Sequence, residues 1–243
     1  MKQNIFKSAA IAAVIALTGA VFTSCGGGSG SNSGSSSDSQ GLATDGILGS
    51  FPQKYFECMD GINTARADMA VGTEEEHAAA KAKLEELQEQ MKTMAETEGL
   101  ASIEIPTEIA QGIPFKVVKP LVITNVDDRQ LTLEGEVEST EAVDQYKAIN
   151  YGYLVAYDKD GKPFSVGQHG QYAPEDGKLD WAAGTKGKLT IYLSIAAFNV
   201  DGLARLGKLL IVDSKAEELK QAATAMSELQ SAAMQKTREA FKK

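Results

Sequence analysis

The chain is short of cysteine, of basic charge and of recognisable catalytic motifs, and each shortage removes a class of protein. Two cysteines, Cys25 and Cys58, in 243 residues are too few for a disulfide framework or a four-cysteine zinc site. Lys and Arg total 24 against 33 Asp and Glu, a net charge of −9. That balance argues against a nucleic-acid partner, whose phosphates need a basic face. There is no GxSxG elbow, no phosphate loop, no GxGxxG and no HExxH, so the common nucleophile, nucleotide and zinc-hydrolase signatures are all missing. Hydrophobic residues make up 43% and charged residues 23%, which excludes collagen-like, coiled-coil-only and multi-span membrane chains. What remains is an ordinary folded body of one or two units.

The first 24 residues carry an address. Lys2 and Lys7 supply a positive start, and the apolar run from Ala9 to Phe22 is shorter than the ~20 residues needed to span a bilayer. Phe22-Thr23-Ser24-Cys25 and the glycines Gly26 to Gly28 follow. This run resembles a bacterial lipoprotein lipobox in a form familiar in the Bacteroidota, with Phe22 where Leu is commonest. The resemblance covers about 25 residues. It implies cleavage before Cys25, diacylglycerol on the Cys25 thiol and palmitate-type acylation, so that the lipid anchors the mature chain in the membrane. The plainer reading is a secretory signal cut upstream, with Cys25 incidental.

Residues 1–24 hold two lysines and no acid, so a chain starting at Cys25 carries 22 basic residues against 33 acidic, a net charge of −11. Anionic lipid surfaces repel such a body. Residues 26–40 are nearly all Gly, Ser and Asn, a flexible tether with a reach of about 20 Å. In the lineage that the lipobox suggests, surface-exported lipoproteins often carry acids just after the cysteine. The first acid here is Asp38, which favours an outer-membrane lipoprotein facing the periplasm over one on the cell surface.

Three spacings suggest helix starts by a capping box: Ser50-x-x-Gln53, Thr73-x-x-Glu76 and Ser214-x-x-Glu217. Gly72 and Gly99 suit the position after a helix. Residues 41–100 therefore read as a helical hairpin, with the seam Tyr55, Met59, Ile62 and Met69 facing Ala80, Leu84, Leu87, Met91 and Met94. The segment 214–243 reads as a C-terminal helix with Leu219, Ala222, Met226, Leu229 and Ala233 at coiled-coil spacing. It is expected to pack on the hairpin, because residues 73–98 sum to −5 and residues 214–243 to +2.

Residues 113–213 change to a period of two. Leu131, Leu133, Gly135 and Val137 alternate with Thr132, Glu134, Glu136 and Glu138, a strand with one wet face. Ile149 to Tyr157, Phe164 with Val166, Leu189 to Ile195 and Leu206 to Val212 read as further strands. Asp160-Gly161 marks a tight hairpin. Phe115 to Thr124 is a strand in which Pro120 demands an edge or a bulge. The expected class is α+β: a helical hairpin, an antiparallel, immunoglobulin-like β-sandwich of six or seven strands, and a C-terminal helix.

Candidate chemistry is sparse. His77 falls on the seam of the second helix. Cys58 flanks the first seam and reads as a small buried residue. Asp158-Lys159-Asp160-Gly161 looks like the start of a calcium loop but lacks its later ligands, so a turn explains it and no metal or cofactor is expected. Glu134, Glu136 and Glu138 read as a solvated face. The polar stretch Gln168 to Tyr172 and the segment at Asp180–Trp181 offer loop aromatics and amides, the usual means of contact with proteins and sugars. If the connection folds back, Gln168, His169, Tyr172 and Trp181 form one exposed binding patch. The alternative places Trp181 beneath the connection. The expected function is a non-enzymatic binding or structural module at the cell envelope, contacting a protein or glycan. The competing reading is a glycan-directed hydrolase with dispersed carboxylates.

Overall fold

A computed structural model of the chain describes Leu42, residues 45–71 and residues 73–240. The leader (1–24), Cys25, the tether (25–40) and Gly72 lie outside the described residues. None of the described helices is long and apolar enough to cross a membrane.

Helices α1 (Phe51–Val71) and α2 (Glu74–Thr97) pack on one another, and the Cys58 thiol donates to the Leu87 carbonyl at 3.3 Å across them. Of the three expected capping boxes, the one at Thr73 forms as written. Thr73 Oγ1 accepts the Glu76 N–H while Glu76 Oε2 accepts the Thr73 N–H at 2.6 Å. Gln53 instead donates forward to Glu57. Ahead of the last helix it is Asp213, not Ser214, whose carboxylate takes a backbone N–H, that of Lys215. Gly99 follows α2 in the left-handed conformation, φ 64°, as a glycine after a helix commonly does.

The strands are β1 (Thr107–Ile109), β2 (Phe115–Val126), β3 (Gln130–Ser139), β4 (Tyr153–Asp158), β5 (Pro163–Pro174), β6 (Lys186–Ser194) and β7 (Leu206–Val212). They form one seven-stranded mixed sheet in the order β1-β7-β4-β5-β6-β3-β2, and the class is α+β. The two packed antiparallel sheets expected of an immunoglobulin-like sandwich are not what the strands build. β1 runs parallel to β7. Its approach segment also bridges the other edge, with the Ile105 N–H on the Leu121 carbonyl at 3.0 Å and the Leu121 N–H on Thr107 Oγ1 at 3.1 Å. The sheet therefore curls almost into a barrel, which removes the two open edges a flat sheet would expose. Pro120 sits within the second of three register shifts of β2, the one between Lys119 and Val122.

One continuous core fills the barrel. Leu121, Ile123, Leu131, Leu133, Leu154, Leu189, Ile191, Leu193, Leu209 and Ile211 are each at most 1% exposed, and Phe51, Tyr55, Phe56 and Ile62 of α1 join the same cluster. The C-terminal helix goes elsewhere than expected. After the short helices α3 (Gln145–Ile149) and α4 (Val200–Ala204), α5 (Glu217–Ala240) lies on the outer face of β4 and β5 rather than on the α1–α2 pair. There Ala222 packs with Val155 and Val212, all 0% exposed, among Tyr153, Tyr157, Val166, Leu210 and Leu219. β4 is apolar on both sides, Leu154 and Ala156 inward and Val155 outward, so it has to be covered from outside.

Candidate functional site

The chain enters the barrel at Asp45, which meets Lys159 of the β4–β5 turn at 2.8 Å. β5 runs from that end to the other, which we call the tip. The tip is made by the end of β5, the segment 175–185, α3 and the start of β2.

The stretch Gln168 to Tyr172 is strand, not loop. A bulge separates its pairs Gln168↔Tyr192 and Gln171↔Thr190, and His169 takes φ 59° within it, a conformation uncommon outside glycine. Gly170 and Gly152 touch there backbone to backbone, with the Gly170 N–H on the Gly152 carbonyl at 2.9 Å. A side-chain carbon on Gly170 would stand 2.6 Å from the Gly152 backbone. Gln168 and His169 are exposed on the wall below the tip.

Tyr172 and Trp181 do not join them. Trp181 is 2% exposed, and its backbone pairs with Val143 in both directions, at 2.8 and 2.9 Å. Its ring meets Phe115 edge-on at 5.0 Å between centroids and Tyr172 at 6.2 Å, while Phe115 stacks on Tyr172 at 4.6 Å. The Tyr172 hydroxyl donates to the Tyr151 carbonyl at 2.9 Å, and burial pushes its pKa far up. These rings plug the tip. The expected single patch of Gln168, His169, Tyr172 and Trp181 is corrected accordingly: its aromatic half faces inward because a barrel end must be filled.

Other side chains stand outside that plug. Tyr146 is 74% exposed, Ile149 64% and Leu179 68%. Tyr146 and Ile149 share one face of α3, three residues apart. Asp144 starts this turn by accepting the Lys147 N–H at 2.9 Å. Asp180 accepts the Gln145 N–H at 3.1 Å, which holds the segment carrying Leu179 against the start of α3. Two signals for this arrangement lay in the sequence: an Asp three residues before Lys147, and a lone leucine in the polar run Glu175 to Asp180.

The remaining candidates have structural settings, and of them His77 alone carries a buried nitrogen, Nε2, with no hydrogen-bond partner among the described residues. The Asp158 carboxylate accepts the N–H groups of Asp160 and Lys162, both at 2.9 Å, within the turn. Cys58 is buried, and burial raises its thiol pKa. His77 is half-buried on α2. Among the described residues no group of three His, Cys, Asp or Glu side chains is arranged to hold a metal ion. Glu134, Glu136 and Glu138 meet Lys188, Lys119 and Lys116 at 2.6, 2.7 and 2.8 Å. The hydrogen bond from Lys119 holds the Glu136 carboxyl below its ordinary range, the opposite of what a general acid in glycoside hydrolysis requires. Comparison with protein-family models, with curated proteins and with solved structures finds no match for this chain.

Proposed function

We propose that this protein is a lipid-anchored module of the cell envelope that binds a partner protein through the barrel tip. The lipobox resemblance at Cys25 supports the anchor, and the entry of the chain at the opposite end supports an outward-facing tip. The observation that carries the binding role is the exposure of Tyr146, Ile149 and Leu179 at one end of the barrel. Large apolar side chains gathered on a rigid surface mark contact sites in folded proteins. Tyrosine at such a centre is a frequent anchor of binding energy. Two of these three side chains are aliphatic, which favours a protein surface over a glycan, since sugars stack on flat aromatic faces. The periplasm-facing outer-membrane location rests on the late first acid, Asp38. The glycan-directed hydrolase is the weaker reading, because the one carboxylate row on the sheet is occupied by lysines.

The anchor is tested by Cys25→Ala, which moves the protein from the membrane fraction to the soluble fraction after a carbonate wash. The binding role is tested by a photo-cross-linking residue placed in turn at positions 146, 179, 116 and 188 in the native envelope. Discrete adducts from 146 and 179, lost on adding Ile149→Asp and missing from 116 and 188, support it. Equal labelling from all four positions contradicts it.

A further inference from the structure

At the end of the barrel opposite the tip, α1, the β2–β3 turn, the segment after β6 and α5 leave a cleft of about 460 Å³, within the range of small-molecule sites. Its lining is part apolar, with Met59, Ile195, Phe198 and Met226, and part polar, with Asn63, Arg66, Asp128 and Arg129. Two of the chain's four arginines meet here, although the chain as a whole is acidic. Arg66 is spoken for by Asp128 at 2.5 Å. The second acid of the turn, Asp127, accepts the backbone N–H groups of Arg129 and Gln130, both at 2.8 Å. Among the described residues no carboxylate pairs with the Arg129 guanidinium, and no group hydrogen-bonds the Asn63 amide.

We infer that this cleft binds a small amphipathic monocarboxylate, its head on Arg129 and Asn63 and its apolar body along Met59, Ile195, Phe198 and Met226. The lining holds two guanidinium groups and one carboxylate, so it carries one uncompensated positive charge. That matches one negative charge on the ligand. A guanidinium also presents two parallel N–H donors at the spacing of carboxylate oxygens. The apolar lining excludes a bare small anion as the preferred occupant, because only a tail removes the half-buried Phe198 and Met226 from water. The inference is independent of the binding role of the tip, which lies at the other end of the barrel.

The test is a titration of the full chain with octanoate, read by methyl NMR on methionines labelled at the terminal carbon. Met59, at the edge of the core, and Met226 line the cleft, whereas Met91 and Met94 are buried away from it and serve as internal controls. Saturable shifts are expected at Met59 and Met226 alone. Arg129→Gln should weaken binding by about tenfold or more, the loss of a charge-assisted pair. Arg129 is exposed, so this variant keeps the fold, and unchanged Met91 and Met94 signals verify it. Asn63→Leu provides a second weakening variant. Octanol should bind at least tenfold more weakly than octanoate, and acetate should leave the methyl signals unmoved. Octanol binding as well as octanoate would reduce the cleft to a greasy surface and overturn the inference. Shifts spread over all methionines, no shift at all, or unchanged affinity in Arg129→Gln would overturn it equally.

Discussion

The two outer walls of this barrel are made from strands of the same sheet, yet they end in opposite environments. On β3, Glu134, Glu136 and Glu138 face water and are bridged by lysines of β2 and β6. On β4, Val155 faces outward under Ala222 of α5 with no exposure at all. Alternation alone marks both as strands. What separates them is the residue type at the outward positions: charge needs no cover, whereas valine and tyrosine have to be covered. The C-terminal helix goes where the apolar wall is, not where opposite net charge would have drawn it. Exposed charges attract weakly through water, and burying an apolar wall contributes more per residue.

The walls should therefore answer mutation very differently. Ala222→Glu places an unpaired charge between α5 and β4, and should cost about 3–5 kcal/mol. Denaturant melts would show it, and unchanged stability would mean that α5 is not seated on this wall. Deleting residues 214–243 should expose the Tyr153–Tyr157 face and cause aggregation, leaving the contact of α1 with α2 intact. Val155→Ala removes two buried methyl groups and should cost about 2 kcal/mol.

On the charged wall the effects shrink. Glu136→Gln should lower Tm at pH 7 by about 2 °C or less, and by less still at high salt. The carboxyl is held below its ordinary value of 4.5 by Lys119. Its contribution is thus present above that pH and fades as the pH falls through the lower folded value. Wild type and variant should converge in acid, and a gap that widened there would reverse the assignment. The smallest effect is expected within α1, at Asp60. Its Oδ1 is buried without a hydrogen-bond partner, and burial raises its pKa. Ionised Asp60 then costs stability at neutral pH, so Asp60→Asn should raise Tm slightly at pH 7. The gain should shrink as the pH falls below the raised folded pKa and vanish only below the ordinary value of 3.8, where the carboxyl is neutral in the folded and the unfolded chain alike.

Much of this was legible in the residues. The period-two runs located six of the seven strands, although the run from Ile149 begins in α3 and its strand starts only at Tyr153; Pro120 announced its bulge, and Thr73 with Glu76 announced its cap. Asp160-Gly161 made the turn. The missing strand, Thr107–Ile109, has three residues and no period of its own; pairing across the sheet defines it. Barrel against sandwich was equally out of reach, because closure depends on Ile105 meeting Leu121, a long-range event that no local pattern records. The seam of α5 named its inward residues but not their destination. Arg66 and Arg129 lie 63 positions apart, so their cleft appears only in the fold. On the wall below the tip, Gln168, His169 and Gln171 hid a strand because its outward side chains are polar. Trp181 looked like a loop residue among Ala182, Ala183 and Gly184, although its neighbours in space are Phe115 and Tyr172.

That last difference is the centre of the account, because the tip can present Tyr146, Ile149 and Leu179 rigidly only if the aromatic plug beneath is closed. Trp181 is the chain's single tryptophan, so its fluorescence reports on the plug alone. A closed plug gives a blue-shifted emission that iodide fails to quench, and that moves to long wavelength only on global unfolding. Long-wavelength emission quenched by iodide in the folded protein would put Trp181 on the surface and contradict it.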